Sequence, residues 1–584
     1  MKGLLNLALV GLALASSGSD SSCRCRPHQS CWPVEQEWIA LNRSVQGNLQ
    51  ATQPVAAPCH EGNKKACAAI TQEWTNSTWR ATQPGAVQWE NWEARPELNE
   101  SCVLETRQTT CGQGRISLYS VLAKSASHIQ DAVRFAKRFN LRLAVRNSGH
   151  DFVGRSTAPD SLQIFTYWLK NIQFSDDFKP AGTPKSEGPA VTIGAGINLM
   201  ELYAAVGQKG RTVVAGTSHT VGAAGGYIQG GGHSLMGPWK GMAADNVLEF
   251  KVVTANGTLV TANSHQNPDL FWALRGGGGG TFGVVVSATL RTFDEAPITM
   301  VNLNVSTVAK NPGFWGAMAD FHAAIPSLND AGASGYYFIT PNMPFKKMEV
   351  SRLSILLFFP NQTNVAKIDK LVAPLQSKLN ATAGLITEYA SIPFPSIHSL
   401  LSGLLIRGNM DPTGKNVILG SRLFSRELLV SHNGPGKLVN AWKKLKFNPG
   451  DTITGNIVAG GAVAKNAESV DNAINPAWRK AATHMYFARY WAPNATLAQQ
   501  QEVIRNMTEV DMLVLKDVEG YKMGAYPNEA NAYEPNFQNE FWGSNYPRLY
   551  GIKQKWDPNG LFIARKGVGS EDWDDAGLCR IKRK

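Results

Sequence analysis

The chain has 584 residues, is 43% hydrophobic and carries a formal net charge of +12. This length and apolar content suffice for two domains that share a cleft, each with a substantial core. The basic residues are scattered apart from the Lys582–Lys584 tail, so composition and charge argue against a nucleic-acid-binding protein. They favour a mildly basic, solvated surface that helps to gather acidic substrates.

The first residues have the pattern of a secretory signal peptide. Met1 and Lys2 precede an apolar run from Leu4 to Ala15, and small residues follow up to Gly18. We therefore predict a leader over residues 1–18. No later run reaches the length of a membrane-spanning helix, so we expect a secreted, soluble protein.

Cysteines mark the next segment, residues 19–115. Behind a leader, an even and clustered set of cysteines predicts disulfides, although the sequence leaves their pairing open. A Cys-x-Cys metal site is the alternative, but no His/Cys pair follows at ligand spacing, and we predict no metal. We expect this disulfide-rich N-terminal extension to pack on the domain that follows it. The eight cysteines are Cys23, Cys25, Cys31, Cys59, Cys67, Cys102, Cys111 and Cys579.

Sequons for N-glycosylation occur along the whole chain and fit a secreted protein. Nine Asn-x-Ser/Thr sequons predict N-glycans on Asn42, Asn76, Asn99, Asn256, Asn304, Asn361, Asn380, Asn494 and Asn506.

A turn with the composition of an anion-binding loop comes next. A predicted helix from Ala126 to Phe139 and a short strand from Leu141 to Val145 lead into the turn Arg146–Phe152. Asn, Ser and Gly in this turn tolerate tight backbone and leave N–H groups free for a pyrophosphate. Taken alone, the turn is more simply an ordinary loop that ends in a hydrogen-bonded histidine, His150.

Two glycine-rich segments favour the ligand-binding interpretation. They run from Ala215 to His233, followed by Ala243–Val247, and from Asn267 to Val285. Dense glycine lets the backbone approach a large ligand from several sides. A flexible linker is the alternative, but the glycines are interleaved with Trp272, Phe282 and a strand-like run over 247–253, which a solvated linker would lack.

The rest of the chain has no nucleotide motif until its end. Residues 299–510 alternate strand-like runs, such as Val350–Phe359, with amphipathic segments, such as Asn364–Leu379. A signature then appears in three parts, Ala525–Ala530, Phe541–Leu549 and Lys555–Phe562.

These motifs, in this order, resemble the vanillyl-alcohol-oxidase-type (PCMH) FAD-linked oxidoreductases, in particular the berberine-bridge-enzyme-like group and its fungal isoamyl alcohol oxidase-like branch. The matches span about residues 119–296 and 520–573. The resemblance implies an α+β fold with a two-subdomain PCMH-type FAD-binding domain over 116–298. It also implies a substrate-binding domain with a large antiparallel sheet backed by helices over 299–510, and a berberine-bridge-like segment, 511–584, that completes the FAD domain.

The resemblance also implies how FAD is held. His150 matches the histidine that is bonded to the 8α-methyl of FAD in many members. Ser218 stands where many relatives have a second, cysteine tether, and a hydroxyl is not nucleophilic enough to replace it. We therefore predict monocovalent FAD. The other predicted cofactor-binding residues are Arg146, Asn147, Ser148, Gly149, Asp151, Gly216, Thr217, Ser218, Thr220, Gly222, Gly225, Gly226, Gly231, Gly232, Asp245, Asn246, Val247, Asn528 and Asn559, with His219 and His233 ranked below His150.

The candidate catalytic residues are Glu529, Tyr526, Asn528 and His484. Many plant relatives carry Tyr-x-Asn-Tyr here and use the second tyrosine as base, but this chain has Glu529. A carboxylate in a closed apolar cleft, with its pKa raised toward neutrality, is a credible base. Tyr526 is either the base or a packed ring. His484 either shares proton transfer or is a hydrogen-bonded core histidine.

The predicted reaction is an oxidase cycle. Hydride passes from an alcohol, which we expect among secondary-metabolite intermediates, to FAD, and O2 then reoxidises FAD to give H2O2. An FAD-linked dehydrogenase and an oxidative cyclase or desaturase are the alternatives on the same scaffold. A non-catalytic flavin- or carbohydrate-binding protein is a further alternative, against which intact His150 and the glycine-rich segments argue.

Overall fold

The structure is a computed structural model that describes residues 22–104, 111–405 and 411–581. The predicted signal peptide, residues 1–18, and the Lys582–Lys584 tail lie outside the described residues. The described part mixes helices and sheets, and the predicted α+β class is confirmed.

Strands occur from the N-terminal extension to residue 491. In chain order they are β1 (Leu49–Ala51), β2 (Tyr119–Leu122), β3 (Arg142–Arg146), β4 (Ser161–Phe165), β5 (Ile172–Ser175), β6 (Ala190–Gly194), β7 (Arg211–Thr212), β8 (Val247–Val253), β9 (Leu259–Ala262), β10 (Val284–Arg291), β11 (Phe293–Asp294), β12 (Ile298–Val308), β13 (Ser334–Phe345), β14 (Met348–Pro360), β15 (Ile386–Phe394), β16 (Asn416–Ser425), β17 (Ile453–Ile457) and β18 (Ala481–Trp491).

Helices connect and cover these strands. In chain order they are α1 (Glu35–Ser44), α2 (Ala57–His60), α3 (Lys64–Glu73), α4 (Ser77–Thr82), α5 (Ala126–Arg138), α6 (Leu199–Gly207), α7 (Gly237–Lys240), α8 (Pro268–Leu274), α9 (Gly313–Asp330), α10 (Val365–Ala381), α11 (Ile397–Leu405), α12 (Arg426–Val430), α13 (Gly434–Trp442), α14 (Gly461–Lys465), α15 (Leu497–Arg505), α16 (Met512–Lys516), α17 (Phe537–Trp542) and α18 (Tyr546–Trp556). No helix within the described ranges is both long and apolar enough to cross a membrane.

The elements predicted around the first motif are confirmed. Helix α5 begins after Ser125, whose side chain accepts a hydrogen bond from the backbone N–H of His128. It buries Ile129, Ala132, Val133 and Ala136, which recur at helical spacing. Strand β3 begins one residue later than predicted and leads directly into the turn.

Among the described residues, a four-stranded and a five-stranded sheet form the first half of the chain, and β7 pairs with β11 in a separate two-stranded sheet. The four-stranded sheet has the order β1-β2-β4-β3, in which β2, β4 and β3 are parallel. The five-stranded sheet has the order β5-β6-β10-β8-β9 and is antiparallel throughout. The predicted strand over 247–253 is β8, whose residues are buried except for Lys251.

The predicted large antiparallel sheet is confirmed and has seven strands. Its order is β15-β12-β14-β13-β17-β18-β16. The predicted strand 350–359 lies inside β14, and the predicted amphipathic segment 364–379 forms α10, which Asn364 caps. One face of the sheet packs on apolar side chains of α9, α10 and α13 in a single core cluster. The opposite face is left for the candidate site.

The disulfides predicted from cysteine clustering are confirmed, and the structure supplies their pairing. Three are short-range, Cys25–Cys31, Cys59–Cys67 and Cys102–Cys111. The fourth joins Cys23 to Cys579 across 556 residues. The end of the chain also packs beside the four-stranded sheet, because Leu561 and Phe562 share its core.

Candidate active site

A large cavity lies between the glycine-rich segments and the open face of the seven-stranded sheet. Its volume is about 720 Å³. The lining combines the turn over 147–152, the glycine-rich segments and the signature residues Tyr526, Asn528 and Glu529. The sheet adds Tyr336, Phe338, Leu356, Phe358, Thr454, Asn456, Tyr486 and Tyr490. The predicted motifs therefore meet at one place.

The turn after β3 carries His150 to the cavity. Gly149 has a φ of 81°, a left-handed conformation in which glycine is unstrained. Ser148 accepts a hydrogen bond from the backbone N–H of Gly222 at 3.2 Å, and Asn147 donates to the carbonyl of Ala195. The turn is thus tied to the second motif, and both face the same space.

The His150 imidazole lies beside Thr220. Its Nε2 is 2.5 Å from the Thr220 hydroxyl oxygen. Burial lowers the pKa of His150 to about 4, and the Asp411 carboxylate acts in the opposite direction. His150 is therefore neutral near neutral pH, which is the form in which a ring nitrogen has a lone pair for bond formation.

Glycine backbones form the adjoining part of the lining. A Cβ placed on Gly279 would lie 3.0 Å from the Cα of Gly226, so these two segments are in close contact. A Cβ on Gly226 would meet only the Asn528 side chain at 3.9 Å, and one on Gly280 only Val145 at 3.7 Å. Both positions face open space. A large planar ligand with phosphates, such as FAD, fits a cavity lined in this way.

Ser218, His219 and Asp411 form a second polar group, which we call the Asp411 cluster. Ser218 donates a hydrogen bond to Asp411 Oδ2 at 2.5 Å, and Nδ1 of His219 lies 3.2 Å from the same oxygen. Burial would raise the pKa of Asp411, but the hydrogen bonds from His219 and Ser218 outweigh it and hold the pKa below its usual value. Asp411 is therefore charged.

Glu529 lies between two histidines, and we call the three residues the Glu529 cluster. Nε2 of His233 is 3.1 Å from Glu529 Oε1, and Nδ1 of His484 is 3.5 Å from Oε2. Desolvation alone would raise the pKa of Glu529, but the charge and hydrogen bond of His233 and the charge of His484 together lower it. The predicted upward shift of this pKa is wrong, because the cleft is not apolar around the carboxylate.

Tyr526 is buried against the Glu529 cluster. Its hydroxyl oxygen accepts hydrogen bonds from the backbone N–H of Gly232 at 3.2 Å and from Asn528 Nδ2 at 2.8 Å. Burial, and then the charge of Glu529, raise its pKa. Tyr526 therefore holds its proton firmly and is a poorer base than Glu529. Asn528 also donates to the carbonyl of Gly226 at 2.8 Å, which links the signature to the glycine-rich segment.

The Glu529 cluster has the composition of a metal-ligand set, and its ligand atoms lie within 4.8 Å of one another. However, Nδ1 of His484 lies 3.1 Å from Asn456 Nδ2. Nδ1 of His233 and Nε2 of His484 have no hydrogen-bond partner among the described residues, whereas metal-bound imidazoles are usually oriented through that second nitrogen. We therefore interpret the cluster as an acid–base group.

Several predicted cofactor-binding residues lie away from the cavity. Asp245 is paired with Arg479 at 2.7 Å, while Asn246 donates to the carbonyls of Lys240 and Met242. These contacts stabilise the fold, and Val247 is buried as the first residue of β8. Direct contact with FAD is not supported by their positions.

The same holds for four others. Arg146 is fully buried and donates to the carbonyls of Arg80 and Gln83. Gly231 and Gly232 pack against side chains, and Asn559 lies near Arg24 on another part of the surface. The predicted residues that the structure does bring to the cavity lining are Asn147, Ser148, Gly149, His150, Asp151, Gly216, Thr217, Ser218, Gly222, Gly225, Gly226, His233, Asn528, Tyr526 and Glu529, with Thr220 and His484 directly behind it.

Sequence reasoning missed several lining residues. Asp411 follows no recognisable motif, and Trp89 comes from the N-terminal extension. Tyr336 and Tyr486 lie on strands in which successive side chains alternate between the two faces of the sheet. This two-residue period groups the residues that share a face, but it does not show which face meets a ligand.

Comparison with known proteins agrees with this geometry. The FAD binding domain family matches residues 118–263, and the berberine and berberine-like family matches residues 525–569. An uncharacterized FAD-linked oxidoreductase of Arthroderma benhamiae is 49% identical over 565 residues, covering 96% of each chain. The FAD-linked oxidoreductase malF of Malbranchea aurantiaca is 39% identical, covering 98% of this chain and 96% of its own.

A solved structure is similar over nearly the full length. The VAO-type flavoprotein MtVAO615 from Myceliophthora thermophila C1 has a TM-score of 0.85 and 31% identity, covering 96% of this chain and 100% of that one. The fold and the glycine-lined cavity define an FAD-linked oxidoreductase. The chain belongs to the VAO-type flavoprotein family, in its berberine-bridge-enzyme-like group of fungal enzymes, as its motifs predicted.

Proposed function

We propose that the protein is a secreted oxidase that takes hydride from an alcohol to FAD, bound covalently through His150 alone, and passes the electrons to O2 to give H2O2. The observation that carries this proposal is the charged Glu529 carboxylate, held by His233 and His484 at the cavity that the glycine-rich segments line. FAD, when bound, supplies the acceptor for hydride and the reactivity with O2.

Glu529 is the proton acceptor in this proposal. Its pKa is low, so the carboxylate is available in its charged form, and Oε2 has no hydrogen-bond partner among the described residues. His233, bonded to Oε1, relays the proton onward. Tyr526 and Asn528 position the Glu529 segment against Gly226, as their hydrogen bonds indicate.

The sheet face supports an apolar or aromatic alcohol as substrate. Tyr336, Phe338, Phe358 and Tyr486 provide aromatic surface, while the polar groups converge near Glu529. Such a lining binds the body of a ligand by apolar contact and orients it by a few hydrogen bonds. Secondary-metabolite intermediates fall in this class. The same groups would serve an FAD-linked dehydrogenase or an oxidative cyclase or desaturase.

Secretion is part of the proposal. Four disulfides are typical of an oxidising compartment. Among the nine sequon asparagines, Asn99, Asn256, Asn361, Asn380, Asn494 and Asn506 are exposed, so glycans have room at these six positions.

Acid precipitation of the purified protein tests the tether, and a peroxide assay tests the oxidase. We expect flavin to stay in the pellet on the peptide that contains His150 and to be absent from the Ser218 peptide. An alcohol screen under air should then give one H2O2 per alcohol oxidised. Flavin released into the supernatant contradicts the tether, and substrate turnover without peroxide identifies a dehydrogenase.

A further inference from the structure

We propose that a second cavity binds the first sugars of an N-glycan carried by Asn256 of the same chain. We call it the Trp556 cavity. Its volume is about 540 Å³, Asn256 is one of its lining residues, and it shares no lining residue with the active-site cavity. The inference rests on the proposed secretion, because sequons are used in secreted proteins, but it is independent of the proposed oxidation.

The turn between β8 and β9 presents Asn256 in a fixed position. Asn256 is exposed, and its Oδ1 accepts hydrogen bonds from the Thr254 hydroxyl at 2.6 Å and from the Thr258 backbone N–H at 2.9 Å. Both bonds use the amide oxygen, so the amide nitrogen is left for the glycan. The carbonyl of Gly257 also accepts hydrogen bonds from two side chains of α5, at 2.9 and 3.0 Å, which anchors the turn. The first sugar therefore leaves the turn at the cavity itself.

The lining has the composition of a sugar-binding site. Trp556 is partly exposed, and its Nε1 donates to Asp269 at 3.2 Å, which fixes the indole ring. Such a ring offers an apolar surface on which the C–H face of a pyranose packs. The exposed side chains of Asn140, Asn559 and Lys137 add donors and acceptors for hydroxyl and N-acetyl groups. An apolar surface with a few polar groups is the usual lining of a small-molecule site.

Three of the four charged side chains that line the Trp556 cavity are already paired, which favours a neutral ligand. Arg24 is buried and donates to an asparagine side chain and to two backbone carbonyls. Asp557 lies 2.6 Å from Lys553, and Lys555 lies 2.6 Å from Asp269. An ionic ligand would have to compete with these contacts, whereas N-acetylglucosamine and mannose carry no charge.

Covalent attachment makes weak sugar binding sufficient. A glycan on Asn256 is held beside the cavity at an effective concentration on the order of 1 mM, so a site with a dissociation constant of about 0.1 mM holds it about nine-tenths of the time. The lining joins the N-terminal extension at Arg24, the β8–β9 turn, and the C-terminal segment from Lys555 to Leu561. The docked glycan thus fastens the two ends of the chain to the predicted FAD domain.

Deglycosylation of the folded protein tests the inference. The full chain is secreted from a eukaryotic host and treated with peptide:N-glycosidase F without denaturant, and release at each sequon is followed by peptide mass spectrometry. Asn361 is the matched control, since it is also exposed and lies in a turn, directly after β14, but outside the Trp556 cavity. We expect release about tenfold slower at Asn256 than at Asn361 in the folded protein, and equal rates after denaturation.

Two variants separate docking from simple shielding of the turn. Trp556→Ala removes the aromatic surface and should raise the release rate at Asn256 toward that at Asn361, with no change at Asn361. The double variant Lys137→Ala/Asn559→Ala removes two exposed polar groups and should act in the same direction by a smaller factor. It decides if Trp556→Ala is not secreted.

Three outcomes overturn the inference in distinguishable ways. Equal rates at Asn256 and Asn361 in the wild type, or slow release at Asn256 that neither variant changes, show a glycan that is not docked. An Asn256 peptide without glycan, on a protein glycosylated elsewhere, removes the ligand and leaves the proposed secretion standing. A chain that stays inside the cell without glycans contradicts the proposed secretion as well.

Discussion

Two histidines determine the charge of Glu529. Burial alone would push the Glu529 carboxyl group toward its neutral form. His233 and His484 reverse that effect, so the carboxylate stays charged. The pKa of Tyr526, which packs beside the Glu529 cluster, is raised instead. Its hydroxyl accepts two hydrogen bonds and keeps its proton.

Substitution separates the two candidate bases. In Glu529→Gln the rate of flavin reduction by an alcohol substrate should fall about 100- to 10,000-fold, since a positioned general base contributes on that order. Tyr526→Phe should lose less than about tenfold. Anaerobic stopped-flow at the flavin absorbance measures both rates. A larger loss in Tyr526→Phe than in Glu529→Gln, with FAD content unchanged in both, would assign the base to the tyrosine.

The pH dependence of turnover follows from the same cluster. Glu529 must be charged to accept a proton, and its pKa lies below the usual 4.5. In the wild type, kcat/KM should therefore hold as the pH is lowered to about 4.5 and decline only below it. In His233→Asn the strongest group that lowers this pKa is gone, and the decline should move to higher pH.

His265→Asn, at an exposed histidine, is the control and should keep the wild-type profile. Profiles are read only where tryptophan fluorescence shows the folded protein. An acidic limb that stays in place in His233→Asn would show that Glu529 is not the titrating group.

At the level of elements, the cavity is made by backbones in contact. The segment that contains Gly226 touches the loop that contains Gly279. A Cβ on Gly279 would press on the backbone of Gly226, and a side chain on Gly226 would enter the open space of the cavity. Glycine therefore sets the shape of the cavity, while the strands of the large sheet set its chemistry.

Gly226→Val tests whether this backbone surface holds the cofactor. The new side chain would enter open space in the folded chain, so the fold should survive, but FAD per chain should fall at least about tenfold. Gly316→Val, in helix α9, also has no atoms in its way and lies outside the cavity, and it should keep full FAD content. Absorbance of released flavin and the melting temperature measure the two effects. Full loading of Gly226→Val would place FAD elsewhere.

The sequence predicts an element well when the pattern that defines it lies within one short segment of the chain. Strand β8, strand β14 and helix α10 follow from residue periodicity over 7 to 17 residues. Ser218 meets Asp411 across 193 residues, and no local pattern encodes such a pair. Asp245 shows the opposite case. It belongs to a recognisable motif, but it forms an ion pair with Arg479 that stabilises the fold and does not line the cavity.

At the scale of the whole molecule, a buried ionic network joins the large sheet to the C-terminal segment. Arg422 of β16 pairs with Glu540 of α17, and both side chains are almost fully buried. Lys516 lies 3.5 Å from Glu540 and 2.6 Å from Glu534. These charges were not predictable, since their partners are far apart in the chain.

Removing one member of the network should be costly. Arg422→Met leaves Glu540 without its main partner, and the free energy of unfolding should fall by about 3 to 5 kcal/mol. The double change with Glu540→Met should recover much of this loss, because Lys516 keeps Glu534. Arg426→Met, which breaks an exposed pair with Asp330, should cost about 1 kcal/mol or less. Urea unfolding compares all three, and equal losses for the buried and exposed pairs would contradict the argument.

The Cys23–Cys579 pair sets an order of events during synthesis. Cys23 leaves the ribosome 556 residues before its partner, which at 5–20 residues per second is a wait of about 30 to 110 s. Its neighbour Cys25 has a partner only 6 residues away, Cys31, and is occupied early. The competing thiol is thus removed, and the Cys23–Cys579 disulfide closes only after Cys579 has been synthesised.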